Sequence, residues 1–385
     1  MCNTVVWVNQ QQLSSSQVTG LDRFWAVIPA GGVGTRLWPL SRAAAPKFLH
    51  DLTGSGQTLI RATYDRLHPL AGDNIMVVTG HIHREAVCAQ LADVAKENFL
   101  LEPEPKDSAA AIGLAAAVLY ERDPNAIMGS FAADQVIGSD GAFREAVLEA
   151  IATACTDKIV TIGIKPTYPS TGFGYIHQGE KLNIAEAPSA YQVDKFVEKP
   201  ESEVAQRYVD SGKHFWNAGM FVAPVKLLLA HLQEHEPKLF DGVTAIAKAK
   251  AAGDMESVMA QVWSELPKTS IDYAVAEPAA EAGDVAVIPS DFIWDDVGDF
   301  AAIARLNPAA GGSGVTVIGE TPRVYTEDAD GVVVTDTSRV IALIGVEDIV
   351  VVDTPDALLV TTTEHAQSVK QAVESIKAHG DDDVL

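Results

Sequence analysis

Positive charge is scarce in this chain. Of 385 residues, 28 are Lys or Arg and 52 are Asp or Glu, a formal net charge of -24 at pH 7. That balance speaks against nucleic acid as a partner, because phosphate backbones require a basic face. It speaks equally against an anionic membrane surface. An acidic protein that takes phosphorylated small molecules must gather its few cations, or a metal ion, at one place. Cysteine is scarce too. Cys2, Cys88 and Cys155 are odd in number, widely spaced and without metal-ligand spacing, so a reduced, cytoplasmic protein is expected. No Lys or Arg precedes Arg23 and no long apolar segment stands there, so no signal peptide is read. Residues 10–17 are Ser- and Gln-rich, and residues 1–22 read as a disordered leader. The longest alanine-rich run, residues 109–120, is too short to span a bilayer and reads as a buried helix.

What is present is an alternation. Apolar strand-like runs at residues 24–29, 74–79, 99–102, 126–134 and 159–164 are separated by helix-like segments, among them 108–120 and 143–154. This pattern predicts a doubly wound α/β domain with a mostly parallel sheet over residues 23–306. Residues 192–198 and 218–223 look like further strands, and 227–235 and 255–263 like helices. Near Asn307 the pattern changes to short β-runs divided by Asp, Gly and Pro, with no helix between them. Residues 307–385 therefore read as a small C-terminal β domain with β-helix-like coils, although no clean repeat period is visible. Residues 364–378 fit a closing amphipathic helix, and Asp381-Asp382-Asp383 a solvated tail.

The most informative stretch is Ala30-Gly31-Gly32-Val33-Gly34-Thr35-Arg36-Leu37-Trp38-Pro39-Leu40, completed by Pro46-Lys47. It follows an apolar strand and precedes helix-compatible residues. Three glycines in four positions leave backbone N–H groups bare and permit positive φ, which makes a phosphate cradle. Arg36 adds a fork of donors suited to a polyphosphate. A Walker loop would need Lys-Ser or Lys-Thr after the last glycine, where Thr35-Arg36 stands. The dinucleotide fingerprint would need glycine at Leu37.

Acids follow farther on. Asp134 closes an apolar strand, and Trp294-Asp295-Asp296-Val297-Gly298 sets two acids beside a turn glycine. Two carboxylates near phosphate-binding groups suit Mg²⁺, which prefers few carboxylates plus phosphate and water; either acid could instead cap a helix or a turn. Glu198-Lys199-Pro200 offers an acid for sugar hydroxyls and a cation for a monophosphate, or a surface charge pair. Asn217 offers a donor and an acceptor together, or a turn residue. Thr171-Gly172-Phe173-Gly174-Tyr175 allows close backbone approach between aromatic walls. His81-x-His83 reads as two polar loop residues rather than a metal pair.

In order, these pieces resemble the sugar-phosphate nucleotidylyltransferases, and within them the mannose-directed, guanylyl-transferring branch. The resemblance rests on the string from Ala30 to Arg42, Pro46-Lys47, Leu101-Glu102-Pro103, the Thr171 to Ile176 string, Phe196-Val197-Glu198-Lys199-Pro200 and the Trp216 to Phe221 string. Ser270-Ile271-Asp272-Tyr273-Ala274 and Trp294 to Gly298 complete it, over roughly residues 24–306. It implies a nucleotide-diphospho-sugar transferase fold, Mg²⁺ as cofactor, and GTP and mannose 1-phosphate as substrates. It implies that Ala30, Gly31, Gly32, Gly34 and Thr35 hold the nucleotide, with Glu102 near guanine, and that Arg36 and Lys47 act at the reacting phosphates. Asp134 and Asp296 would hold the metal; Gly174, Glu198 and Asn217 the sugar; Lys199 its phosphate. Two positions depart from the family: Lys106-Asp107-Ser108-Ala109 where Arg-Asn-Thr-Ala is frequent, and Ala133-Asp134-Gln135 where many relatives have Ser-Asp-His. The alternatives are a nucleotidylyltransferase for another hexose 1-phosphate or nucleotide, and a silent regulatory paralogue that binds a nucleotide sugar. A homo-oligomer is left open.

Overall fold

In the computed structural model, residues 18–32, 34–309, 314–319 and 322–385 are described. Residues 1–17, most of the expected leader, and Val33 of the glycine loop lie outside them. Residues 18–22, read as part of the leader, are folded: Val18 is buried and Thr19 N–H donates to Glu186 at 2.8 Å.

The centre is a nine-stranded sheet. Its strands are β1 (Phe24–Ala30), β2 (Ile75–Gly80), β3 (Phe99–Glu102) and β4 (Ile127–Ser130), then, after a two-residue strand β5 (Val136–Ile137), β6 (Ile159–Ile164), β7 (Tyr175–Lys181), β8 (Tyr191–Val197), β9 (His214–Pro224) and β10 (Val285–Ser290). The order is β3-β2-β1-β4-β9-β6-β10-β8-β7. Pairing is parallel from β3 to β4 and between β6 and β10, whereas β9 and β8 run opposite to the other strands. β1 shows why the run is apolar throughout. Ala26, Ile28 and Ala30 face one core while Val27 faces another, so both sides of the sheet are covered. The helix Ser108–Arg122, buried from Ala109 to Leu119, covers the second face.

Four expectations are corrected. No helix follows the glycine loop, only a 3-10 turn, Thr35–Leu37; the first α-helix begins at Leu59. The cradle is therefore built of turns, with no helix N-terminus behind it. The strand before Asp134 ends at Ser130. Asn217 sits inside β9, longer than expected, and not in a turn. The closing α-helix is Val369–His379, preceded by a 3-10 segment Thr363–Ser368.

Beyond β11 (Trp294–Asp295) and the helix Phe300–Leu306 come β12 (Val315–Ile318), β13 (Arg323–Glu327), β14 (Gly331–Thr335), β15 (Val340–Ile344), β16 (Ile349–Asp353) and β17 (Leu358–Thr362). β12, β14 and β16 stack in parallel, and β13 pairs in parallel with β15, so the chain winds between two sheets as coils. β17 turns antiparallel against β16 and ends the stack. Val332, Val334, Val350 and Val352 face the transferase part, meeting Leu37, Leu52, Leu59, Val297, Phe300 and Ile303. The Asp381–Asp383 acids are exposed, but the segment is not free: Trp38 Nε1–H donates to the Val384 carbonyl at 2.6 Å. Among the described residues no helix is long and apolar enough to cross a membrane.

Candidate active site

Ala30 ends β1, and its carbonyl accepts from the Thr79 hydroxyl at 2.8 Å. The chain then leaves the sheet at the carboxyl end of the strand, where open α/β sheets bind ligands. Gly31 and Gly32 are exposed, with open space on the side where a Cβ would stand. Gly32 (φ 83°) and Gly34 (φ 68°) take the left-handed conformation glycine tolerates. A Cβ on Gly34 would lie 3.1 Å from Lys47 Cβ, so this glycine lets the loop close on Lys47.

Lys47 is buried and makes two contacts with the acids. Its ammonium lies 2.8 Å from Asp134 Oδ2 and also donates to the Asp296 backbone carbonyl. The meeting of Asp134 and Asp296, far apart in sequence, has a simple cause. β11 pairs antiparallel with β5, Asp295 opposite Val136, so Asp134 and Asp296 emerge at the same end of the ribbon. The two acids of Asp295-Asp296 divide their work. Asp295 accepts from Val297 N–H and from Arg305, both at 2.8 Å, and holds the turn. Asp296 faces Lys47, Asp134 and Arg36. Burial, with Asp295 and Asp134 nearby, pushes its carboxyl above the ordinary range against the pull of Lys47 and Arg36. Val297 holds φ 47°, strained for a β-branched residue. Gln135, at the departure from Ser-Asp-His, bridges Trp294 Nε1 (3.2 Å) and the Ala218 carbonyl (2.9 Å) and leaves the carboxylate of Asp134 in place.

A second cluster stands where β7, β8 and β9 meet. Glu198 Oε1 lies 2.7 Å from Lys199 Nζ; the acid is enclosed and the ammonium is largely exposed. A Cβ on Gly174 would fall 2.5 Å from Glu198 Oε2, so only glycine leaves room for that carboxylate. Asn217 Oδ1 accepts from the Thr161 hydroxyl (2.9 Å) and Gly219 N–H (3.2 Å), and its Nδ2 donates to Asp272 Oδ1 at 2.7 Å. Its amide is thus held by Thr161 and Gly219 on one side and places Asp272 on the other. Nothing in the local sequence around Asp272 marks it for a role of its own. Burial and the neighbouring Glu198 push its pKa up to about 6. It opens a π-helical turn, Asp272–Ala276, the kind of irregularity that collects at functional sites. Lys199, at φ 47°, has its ammonium pKa raised chiefly by the Glu198 hydrogen bond.

The two clusters are joined by aromatic contacts. The Phe173 ring lies edge-on to Trp216 (5.2 Å) and to Trp294 (5.1 Å), next in sequence to Gly174, Asn217 and Asp295 respectively. Glu102 is placed apart from both clusters, at the end of β3, where Gly80 is its register partner. It is buried, its Oε1 has no hydrogen-bond partner, and burial raises its pKa to about 7. The Lys106–Ser108 departure lies at the start of the helix Ser108–Arg122. Asp107 caps the helix that follows, and Ser108 Oγ accepts from Ile271 N–H at 2.9 Å, beside Asp272. His83 packs edge-on to Phe48, and its Nε2 lies 2.9 Å from the Ala43 carbonyl.

A family model described as nucleotidyl transferase matches residues 25–313, and a mannose-phosphate isomerase/GMP-like β-helix domain matches residues 323–376. The chain belongs to the nucleotidyl transferase family. A mannose-1-phosphate guanylyltransferase of Escherichia coli is 38% identical over 367 residues, covering 93% of this chain and 74% of the relative. The mannose-1-phosphate guanylyltransferase ManC of Salmonella typhimurium is 37% identical over 370 residues, again 93% and 74%. A crystal structure from Thermus thermophilus, described as a mannose-1-phosphate geranyltransferase, superposes with TM-score 0.80 at 32% identity, over 92% of this chain and 99% of that one. The protein is an enzyme, a nucleotidyltransferase with a β-helix-like C-terminal part.

Proposed function

We propose that this chain transfers GMP from GTP to mannose 1-phosphate, giving GDP-mannose and pyrophosphate. One observation carries the reading. Arg36, Lys47, Asp134 and Asp296 converge at the mouth of β1, joined by aromatic packing to the cluster of Glu198, Asn217 and Asp272. The glycine loop offers backbone N–H groups to the triphosphate. Arg36 and Lys47 meet the charge that grows on the phosphates. The phosphate of mannose 1-phosphate, largely dianionic at neutral pH with a second pKa of about 6, attacks the α-phosphorus in line without a strong base. Lys199 faces that phosphate. Glu198 and Asp272 accept from sugar hydroxyls, with Asn217 fixing Asp272 and Gly174 leaving space for Glu198. Glu102 accepts from the guanine edge.

The acids suit a magnesium ion. Among the described residues no group of three or more His, Cys, Asp or Glu could hold an ion alone, whereas two carboxylates completed by phosphate oxygens are an ordinary magnesium arrangement. Lys47 is then the cation that keeps the Asp134 carboxylate in place before substrate arrives. When bound at Asp134 and Asp296, the ion supplies charge neutralisation and orientation of the α-phosphate. The test is pyrophosphate release with mannose 1-phosphate against glucose 1-phosphate at saturating GTP and Mg²⁺, then with UTP, dTTP and ATP in place of GTP. Mannose 1-phosphate with GTP is expected to be fastest. Equal or faster turnover of another pair would reassign the substrates.

A further inference from the structure

The Arg36 guanidinium is gripped from the far end of the chain. Its Nη1 donates to Gln367 Oε1 at 2.9 Å. The other end of the same amide, Gln367 Nε2, donates to Asp299 Oδ2. Asp299 is buried, and its Oδ1 accepts from Ala302 N–H at 2.9 Å, capping the helix Phe300–Leu306. It lies three residues after Asp296. Only one orientation of the amide fits: turned over, its NH₂ would face the guanidinium and its oxygen the carboxylate. The side chain therefore sets the distance between the cation of the glycine loop and the turn that carries the acid. Nearby backbone is tied to the same end of the chain by Arg42, which bonds both carboxylate oxygens of Asp356, and by Trp38 on the Val384 carbonyl. These hold the segment, whereas Gln367 holds the Arg36 side chain.

We infer that Gln367, supplied by the C-terminal β domain, is a positioning residue for nucleotidyl transfer that aims Arg36 at the reacting phosphates. The inference rests on the role proposed above for Arg36. An arginine with several rotatable bonds beside strong acids has other places to point, among them Asp296 itself. A neutral acceptor holds it without neutralising it, and so leaves its charge for the transition state. The C-terminal part thereby takes a share in the active site, acting through Arg36.

The test is a mutant cycle in the full-length enzyme with GTP, mannose 1-phosphate and Mg²⁺. Gln367→Met keeps length and volume and removes both hydrogen bonds. It is expected to lower kcat about tenfold, the scale of a lost bond to a charged group, with KM for mannose 1-phosphate changed by less than about twofold. In the Arg36→Ala background the same change should lower kcat no further, because the residue acts through Arg36. Asp299→Asn gives a second route. Its Oδ1 still caps the helix, but its Nδ2 forces the Gln367 amide to turn a donor toward Arg36, and kcat should fall as with Gln367→Met at unchanged melting temperature. An unchanged or raised kcat in Gln367→Met would overturn the inference, as would an equal fold loss with and without Arg36. Near wild-type turnover of Arg36→Ala would overturn the proposed role of Arg36 itself, and the inference with it.

Discussion

At the scale of single residues, the site is a study in carboxyls that share a chemistry but not an environment. Asp295 is fastened by a backbone N–H and Arg305, Asp296 is buried facing cations, and Glu102 is buried without a partner for one oxygen. Glu102 carries the clearest consequence. Its pKa is about 7 in the native state against 4.5 for the free group. A folded value above the unfolded one gives stability that is complete below pH 4.5 and lost as pH rises through 7. Glu102→Gln, which stays neutral, should match the parent at pH 4.5 and exceed it at pH 8, by at most about 3 kcal/mol. Melting temperatures of both proteins at the two pH values decide it; a difference independent of pH would mean Glu102 is already paired. Asp134→Asn and Asp296→Asn should each raise the Mg²⁺ needed for half-maximal rate, an amide being a poorer magnesium ligand. Magnesium titrations of activity measure this, and unchanged half-saturation in both variants would separate the acids from the metal.

How far such residues can be read from sequence depends on whether their partners lie in one motif. Lys47 beside the glycine loop and the paired acids of 295–296 announce themselves by type and spacing. Asp272 did not: its meaning comes from Asn217, 55 positions away, and from a π-helical turn that has no propensity signature. Gln367 did not either, since a glutamine before a surface helix is unremarkable until Arg36 is seen against it, 331 positions away.

At the scale of elements, the apolar runs of the central sheet were legible because strands buried on both faces leave few polar residues. β13 gives no strand signal in the sequence because it is polar and largely exposed. The coils lacked a visible period because Val315, Gly331 and Ile349 stand side by side, one turn taking 16 residues and the next 18. The helix expected after the glycine loop fails for a physical reason: Pro39 disfavours the helical conformation at Trp38, which is extended (φ -61°, ψ 141°), so the 3-10 turn stops there. The corner of β7, β8 and β9 gives the prediction proper to this scale. The end of β8 places Glu198 inward and Lys199 outward, so Lys199→Ala should chiefly raise KM for mannose 1-phosphate, with a smaller effect on that for GTP. Gly174→Ala should displace Glu198 and raise the same constant, since its Cβ would fall 2.5 Å from Oε2. Steady-state kinetics varying each substrate in turn are the measurement. A rise confined to GTP would assign this corner to the nucleotide.

At the scale of the whole molecule, the C-terminal coils are not an appendage. The matched transferase segment ends at residue 313, which invites the expectation that it folds alone. The packing argues otherwise. Leu37, Leu52, Leu59, Val297, Phe300 and Ile303 are buried in one cluster with Ile318, Val332, Val334, Val350 and Val352. Leu37 is the last residue of the turn that carries Arg36, and Val297 follows Asp296, so the seam supports both sides of the proposed catalytic cluster. Uncovering a large apolar side chain costs about 1.5–3 kcal/mol. Doing so for the transferase side of the seam reaches roughly 10 kcal/mol, the size of a domain's entire stability. A chain cut after residue 309 should therefore melt at far lower temperature or aggregate, and should lose turnover even where it remains folded. The matching control is a change on the outer face of the coils. Tyr325→Ser and Ile344→Ser alter residues 63% and 68% exposed, away from the seam, and should leave kcat and melting temperature near those of the parent. Thermal melts and turnover of the three proteins, side by side, separate a seam that builds the site from one that merely adjoins it: a shortened chain with parental melting temperature and kcat would show that the coils contribute nothing to either.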